Sequence, residues 1–285
     1  MPARSAAIGH RAEIVAEVDT RWVLAYAACL GFRPDLCLDD ARPGGPVVPP
    51  PFCTGLEWML AGDPARARRL GLTAEERLRG VHAAQDSTFH APFRPGTRVR
   101  VSSEIRHMRR TRAGTFAASL LECRDAETGA LHVATWSHSI LRGVDCDVES
   151  AGDPPAPIVA TDLPAGATAS VVPTDRGLGH TYTECARIWN PIHTERAVAL
   201  RAGLHDIILH GTATWALAAR AVLDARAGGD VRRLRRLAGR FRAPVDAGAT
   251  LLVRHAEVAP GVIAFTVEAG GAVAMDGGRI ELAAA

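Results

Sequence analysis

Apolar and polar positions along this chain change period in the same order twice. Each half opens with a short helical stretch. In the first half Asp19 or Thr20 can cap that stretch, and Gly31 can stop it. An irregular, proline-containing loop follows, and then a longer helix. In the second half that helix reads GTATWALAARAVLDARAGG, with Trp215, Ala218, Ala219, Val222 and Leu223 on one face and Gly228-Gly229 at its end. The pattern then shifts to alternation with turn glycines. RVRVSSEI alternates, TFAASLLECRDAETGALHVATWSHSILRG predicts a hairpin, and TLLVRHAEVAPGVIAFTVEAGGAVAMDGGRIEL predicts a three-strand meander. A long helix followed by an antiparallel sheet that wraps it is an α+β unit. One such unit leaves a sheet edge open, whereas two can pair edge to edge and close it.

The repetition also shows residue by residue. YAACLGFRPDLCLDD from Tyr26 and YTECARIWNPIHTER from Tyr182 align at an offset of 156, which matches Tyr26 with Tyr182, Cys29 with Cys185, and Asp39 with Glu195. FHAPFRPGTRVRV from Phe89 and FRAPVDAGATLLV from Phe241 align at an offset of 152, matching Phe89/Phe241, Ala91/Ala243, Pro92/Pro244, Gly96/Gly248 and Val101/Val253. Two blocks in the same order at nearly one offset imply two copies of one unit. Between them, residues 145–170 are rich in Pro, Gly, Ala and Asp and have little periodicity, as expected of a linker, with the boundary near residue 155.

Composition adds bounds rather than detail. The chain has 285 residues, 47% apolar and 22% charged, ample for globular cores. All 33 cationic residues are arginine, and the net charge of +2 is too small to point to nucleic acid as a partner. Arginine is dense over residues 93–112 and 231–242, which reads either as solvated strand edges or as a grip for an anionic arm. Cys29, Cys37, Cys53, Cys123, Cys146 and Cys185 form no C-x-x-C pair and no disulfide-like framework. With no leader-like segment and no apolar run of about 20 residues, a reduced cytoplasmic setting away from membranes is expected.

One segment carries specific chemistry: WNPIHTERAVALRAGLHDIILHGTATWALAARAVL, residues 189–223. Asn190, Pro191, Ile192 and His193, followed by Ile208, His210 and Gly211, resemble the signature of the MaoC-like, (R)-specific enoyl-thioester hydratase/dehydratase family. That family has a Ser-Gly-Asp-x-Asn-Pro-aliphatic-His loop and an aliphatic-x-His-Gly entry into the central helix. RFRAPVDAGATL from Arg240 is similar to its later strand. PVVPPPF and FHAPFRPGTRV resemble the degenerate partner domain of two-domain members. The resemblance implies a tandem double hot-dog fold, each half an antiparallel sheet wrapped around a central helix. Residues 1–150 would be the degenerate N-terminal domain and 151–285 the MaoC-like one. It further implies a hydratase/dehydratase acting on a 2-enoyl or 3-hydroxyacyl thioester of coenzyme A or a carrier protein, in fatty acid or polyketide metabolism. No metal or redox cofactor is expected. The chain would be pseudo-dimeric, or form a homodimer of such chains, and the dense arginines could meet the phosphates of coenzyme A.

There is one departure. The family's Ser-Gly-Asp triplet falls on Ala186, Arg187 and Ile188, so isoleucine occupies the catalytic carboxylate position. In the first half Cys37 falls where the histidine would be and Phe32 where the aspartate would be. Hydration needs a base for water, an acid for the α-carbon and donors for the enolate-like oxygen. His193 is the expected acid/base and Asn190 an orienting group. Glu184, one helical turn before Ile188, is the preferred replacement carboxylate, ahead of Glu195, Asp206 and His180. Gly211, at a helix start, is the expected oxyanion donor, with His210 and Ile188 beside it on the substrate-binding side. His210 packs or caps rather than reacts, and Cys185 and Cys37 are expected to be small apolar residues rather than nucleophiles. The missing aspartate keeps an alternative open: a non-hydrating hot-dog protein, either an acyl-thioester binding subunit or a repurposed cyclase, isomerase or thioesterase.

Overall fold

A computed structural model describes residues 2–61 and 63–284. The first half runs β1 (Arg11–Glu17), α1 (Thr20–Leu30), α2 (Pro34–Cys37), α3 (Cys53–Trp58), α4 (Pro64–Leu70), α5 (Ala74–Arg77), β2 (Gly80–Phe89), β3 (Arg98–Thr111), β4 (Gly114–Asp125), β5 (Leu131–Arg142) and β6 (Ser150–Gly152). The second runs β7 (Thr168–Val172), α6 (Leu178–Ala186), α7 (Arg196–Arg201), β8 (Ile208–Leu209), α8 (Gly211–Ala227), β9 (Leu234–Phe241), β10 (Val245–Asp246), β11 (Leu251–Ala259), β12 (Val262–Ala269) and β13 (Ala272–Leu282).

The main sheet has 11 strands and contains both halves. Its order is β1-β3-β4-β5-β2 followed by β9-β13-β12-β11-β7, so each half contributes the mirror image of the other's strand order, and β6 adds to β3. The seam is the antiparallel pair β2–β9, with Asp86 opposite Ala238 and Thr88 opposite Arg236. Arg236 holds it with a two-pronged grip on Asp86 at 2.7 and 2.8 Å, and its other nitrogen reaches Glu281 at 3.1 Å. The two open edges foreseen from the pattern are thereby joined. Many arginines of both dense stretches are likewise taken up in ion pairs, including Arg100–Glu13, Arg106–Asp153, Arg110–Asp145, Arg232–Asp230 and Arg240–Asp276.

The repeated blocks occupy equivalent places. Phe89 ends β2 and Phe241 ends β9. Gly96 and Gly248 turn the chain into the next long strand with φ of 83° and 86°, a conformation that only glycine adopts without a Cβ penalty. Tyr26 on α1 and Tyr182 on α6 meet with ring centroids 6.1 Å apart. Helix α1 is capped as expected: Asp19 Oδ1 accepts from Trp22 N–H at 2.7 Å, and Gly31 closes it in the left-handed region.

The central helices differ from expectation in two ways. In α8 every residue from Thr212 to Ala219 is buried, so its first two turns have no polar face, and charge enters only with Arg220, Asp224 and Arg226. The sheet covers one side and helices of both halves the other, and the many alanines let these layers approach. The first half has no long equivalent. Its α3 spans 6 residues. The helical run stops because Asp63 caps a new helix at Ala65 and Arg66 and Pro64 sits in its first turn. Within α3, Gly55 lies so close to the second half that a Cβ there would be 2.6 Å from the Ala186 carbonyl oxygen.

Glu57, on α3, is buried beneath the first half's sheet. Its Oε1 accepts from Thr135 Oγ1 at 2.5 Å and its Oε2 from Gln85 Nε2 at 3.2 Å, while Ser87 bonds Thr135 at 2.8 Å. Burial pushes the carboxyl up to about 7, against the opposing pull of the Thr135, Cys53 and Gln85 bonds. The folded state therefore holds this proton more tightly than the unfolded chain. Stability from this group is fully present below the ordinary glutamate range and is lost as pH rises through about 7. Urea unfolding at pH 5 and 8 should show the wild type losing stability with pH by up to about 3 kcal/mol from this residue. A Glu57→Gln variant should lose that part of the slope, and identical slopes for the two proteins would contradict the assignment.

Candidate active site

The segment from α6 to α8 builds the site. Helix α6 ends at Arg187, whose φ of 57° and ψ of 39° are left-handed. Among the described residues it is the only non-glycine with positive φ. The equivalent position in the first half is Gly31, with φ of 67°. A side chain in this conformation costs about 1–2 kcal/mol. Partners from the other half offset that cost. The Arg187 guanidinium lies over the Trp22 ring, 4.0 Å from its centroid, and donates to Asp19 Oδ2 at 2.9 Å. The same aspartate that caps α1 thus also anchors the turn into the site.

The chain then buries Ile188, 2% exposed, in the apolar core. At the carboxylate position of the Ser-Gly-Asp pattern the cavity is filled by hydrocarbon. Asn190 precedes a 3-10 turn at Pro191–His193, and His193 N–H closes it on the Asn190 carbonyl at 3.1 Å. The His193 ring is buried at 9% exposure, and its Nδ1 lies 2.8 Å from the Ile208 carbonyl oxygen. A carbonyl only accepts, so Nδ1 carries the hydrogen and Nε2 bears the lone pair. Burial lowers this imidazole below its ordinary range, and the bond to Ile208 opposes the shift only in part. At neutral pH the ring is a neutral base.

His193 stacks on His210, with centroids 3.7 Å apart and planes at 26°. His210 Nε2 lies 3.3 Å from the Ile188 carbonyl and 3.2 Å from Thr183 Oγ1, while its buried Nδ1 has no partner. Burial first, and then the neighbouring His193, push His210 down to about 2, so it stays uncharged. Gly211 follows directly as the first residue of α8, and its N–H has no acceptor among the described residues. The Phe241 ring sits 3.2 Å from where a Cβ would stand, so only glycine fits there without a shift. One segment, Ile208–Gly211, therefore aligns the imidazole and carries the free amide.

A cleft of about 320 Å³ opens along α6 and the loop that follows it, lined by Thr183, Glu184, Trp189, Asn190, Pro191 and Thr194 among others and by no residue of Ile208–Gly211. His193 itself is not part of the lining. Glu184 is exposed on the cleft wall. The bond that orients His193 comes from a backbone carbonyl and not from this carboxylate. Of the other candidates, His180 and Glu195 also line the cleft and Asp206 does not. Asp206 pairs with Arg176 at 2.7 Å, Glu195 starts α7, and His180 Nε2 contacts the Thr194 carbonyl at 2.9 Å. Cys37 is buried and pushed up to about 12, mainly by that burial. No cluster of three or more His, Cys, Asp and Glu among the described residues is placed to hold a metal ion. No helix among them is long and apolar enough to cross a membrane.

The sequence reading passed over several members of this neighbourhood. Thr183 joins His210 to the cleft. Tyr182 donates to Thr212 at 3.1 Å, on the first turn of α8. Trp189, 61% exposed, stands at the cleft mouth. A tryptophan left in a predicted polar loop was the one signal available for it.

Comparison with known proteins places this arrangement. Residues 180–271 match the family model described as MaoC like domain. Residues 180–271 form a MaoC-like domain, in a chain whose fold is a double hot-dog. The chain is 29% identical over 213 residues, 72% of its own length and 73% of the relative's, to 3-hydroxyacyl-thioester dehydratase Y of Mycobacterium tuberculosis. Its fold is similar to that of a MaoC-like dehydratase from Phytophthora capsici, with a TM-score of 0.85 at 20% identity over 98% of this chain and 96% of that one. A conserved hypothetical protein from Mycobacterium tuberculosis with a double hot-dog fold aligns with a TM-score of 0.62 at 15% identity, covering 96% of each chain. The matched segment begins at His180, within α6, and includes the rest of that helix, the site loop and α8.

The left-handed turn yields a direct test. Arg187→Ala keeps the backbone strain and loses both partners, whereas Arg187→Gly relieves the strain. In urea unfolding the glycine variant should be the more stable of the two by about 1 kcal/mol. Equal stabilities would mean that the backbone there is not held left-handed.

Proposed function

We propose that this MaoC-like protein interconverts 2-enoyl and 3-hydroxyacyl thioesters by addition or loss of water, with His193 as its acid/base. The observation that carries the reading is the convergence on Ile208–Gly211. His193 is held there in one tautomer with Nε2 free, and the unpaired Gly211 N–H follows three residues after the carbonyl that holds it. The kinship of residues 180–271 with MaoC-like domains and of the chain with a 3-hydroxyacyl-thioester dehydratase supports the same reaction.

In the hydration direction Nε2 takes a proton from water as the oxygen attacks the β-carbon. The thioester oxygen gains negative charge, which the Gly211 N–H and the positive end of α8 stabilise. The imidazolium then returns its proton to the α-carbon. Dehydration runs the same steps backwards. Asn190, on the cleft wall beside His193, orients water or the thioester. The uncharged His210 backs the His193 ring and fixes its plane. With no carboxylate bonded to the ring, the base works from its lone pair alone. The acyl carrier is coenzyme A or a carrier protein, entering past Trp189, and the chain operates in the cytoplasm.

Loss of the enoyl absorbance of crotonyl-coenzyme A measures the reaction. His193→Ala should lower turnover roughly 100- to 10,000-fold. Turnover unaffected by that change would refute the assignment. Because burial lowers the His193 pKa, the neutral base should persist below the ordinary imidazole range. kcat/KM should therefore stay level at neutral pH and fall only as acid protonates the ring at a pH below about 6.5. A midpoint above that value would contradict the buried neutral base.

The burial of Ile188 favours one second reading, a protein that binds acyl thioesters without hydrating them. A wild type that binds crotonyl-coenzyme A without turnover, together with an Ile188→Asp variant that hydrates it, would decide for that reading.

A further inference from the structure

Helices α1 and α6 are equivalent elements of the two halves, and they pack against each other more extensively than any other helix pair. Tyr26 and Tyr182 face each other at this contact with ring centroids 6.1 Å apart. Cys29 and Cys185 each lie three residues further on, which in a helix puts them on the same side as the tyrosines. The duplicated sequence thus brings two copies of one cysteine together across the pseudo-twofold axis. The two thiols are neighbours at this contact, each acting on the other's titration. Both are half-buried, whereas Cys37, Cys53, Cys123 and Cys146 are buried.

We propose that Cys29 and Cys185 are a peroxide-sensitive pair that closes into a disulfide, covalently joining the two halves beside the site loop. The chemistry balances with hydrogen peroxide as the oxidant. Cys185, as thiolate, attacks one peroxide oxygen and the O–O bond breaks, giving a sulfenic acid and hydroxide. The Cys29 sulfur then attacks the Cys185 sulfur, and the new S–S bond forms as the S–O bond breaks. The displaced hydroxide leaves as water with the Cys29 proton. The other proton, lost when Cys185 ionised, neutralises the first hydroxide. Two thiols and one peroxide become one disulfide and two waters.

The geometry gives each cysteine its role. Cys185 is the less shielded of the two and so the first to meet the oxidant. Cys29 is the more shielded and is pushed up to about 12, chiefly by burial, and meets only the sulfur already beside it. Burial also raises Cys185, and Glu184 adds to this, so the pair rests reduced. Once formed, the bond closes a loop of more than 150 residues, from Cys29 to Cys185, and restricts the unfolded chain accordingly. It also ties α6 to α1 one residue before Ala186 and Arg187 lead into the site.

The proposal does not rest on the hydration reading, and its test needs no turnover. The full chain is exposed to hydrogen peroxide, alkylated with iodoacetamide, digested without reductant and mapped by mass spectrometry. The expected product is a linked peptide joining Cys29 to Cys185, reversed by dithiothreitol and missing from Cys29→Ser and Cys185→Ser. Oxidation should raise the urea midpoint of the wild type and leave that of both variants unchanged. Separately alkylated thiols, sulfinic or sulfonic acid at Cys185 without a linked peptide, or links between other cysteines would each overturn it.

Discussion

Pairing of β2 with β9 is the constraint on which the rest of this molecule depends. Each half alone ends in a strand with a row of unpaired backbone groups, and each needs a neighbour. Because the two strands are equivalent and antiparallel, joining them generates an approximate twofold axis through the seam. Everything near that axis is then met by its own copy: tyrosine by tyrosine and cysteine by cysteine. The same operation stacks α1 on α6 and brings Gly55 under the end of α6. The site is therefore a product of both halves, although its chemistry comes from one.

Under the proposed function, the histidine pair is how a buried site keeps a usable base. An imidazole deep in a core resists protonation, because burial disfavours its charged form, and its free nitrogen must also be fixed in place. Here the strand–helix junction supplies the orientation through the Ile208 carbonyl, and a second ring covers the face that would otherwise meet hydrocarbon. The cost falls on His210, whose Nδ1 is left unpaired. A buried orphan of that kind is typical of places where function, rather than stability, sets the arrangement.

Much of the fold was legible because the two halves repeat. Gly96 and Gly248 recur since the same turn requires the same backbone, and the tyrosines recur since they meet each other. The strands followed from alternation and their turn glycines. Other features were not legible. No period reveals that α3 stops after 6 residues, since Asp63 and Pro64 also suit a loop. The buried polar network around Glu57 draws on α3, β2 and β5, residues far apart in sequence whose meeting depends on the sheet. At the candidate site, the resemblance to the family motif singled out His193, Asn190, His210 and Gly211, and the fold stacks His193 on His210 directly before Gly211. The stack of the two rings, the backbone bond that replaces a carboxylate, and the separation of Glu184 from His193 were not legible, because they depend on how the loop folds back on the start of α8.

The turn at Arg187 bears on how such a tandem persists. Its unfavourable backbone is set by the second half's own sequence, whereas its relief, the Trp22 ring and the Asp19 carboxylate, belongs to the first. A second half cut free would keep the burden and lose the remedy. With arginine at 187 where the first half has Gly31, the two units are not interchangeable modules. In this turn the duplication works as a ratchet, making the first half an obligatory companion of the second.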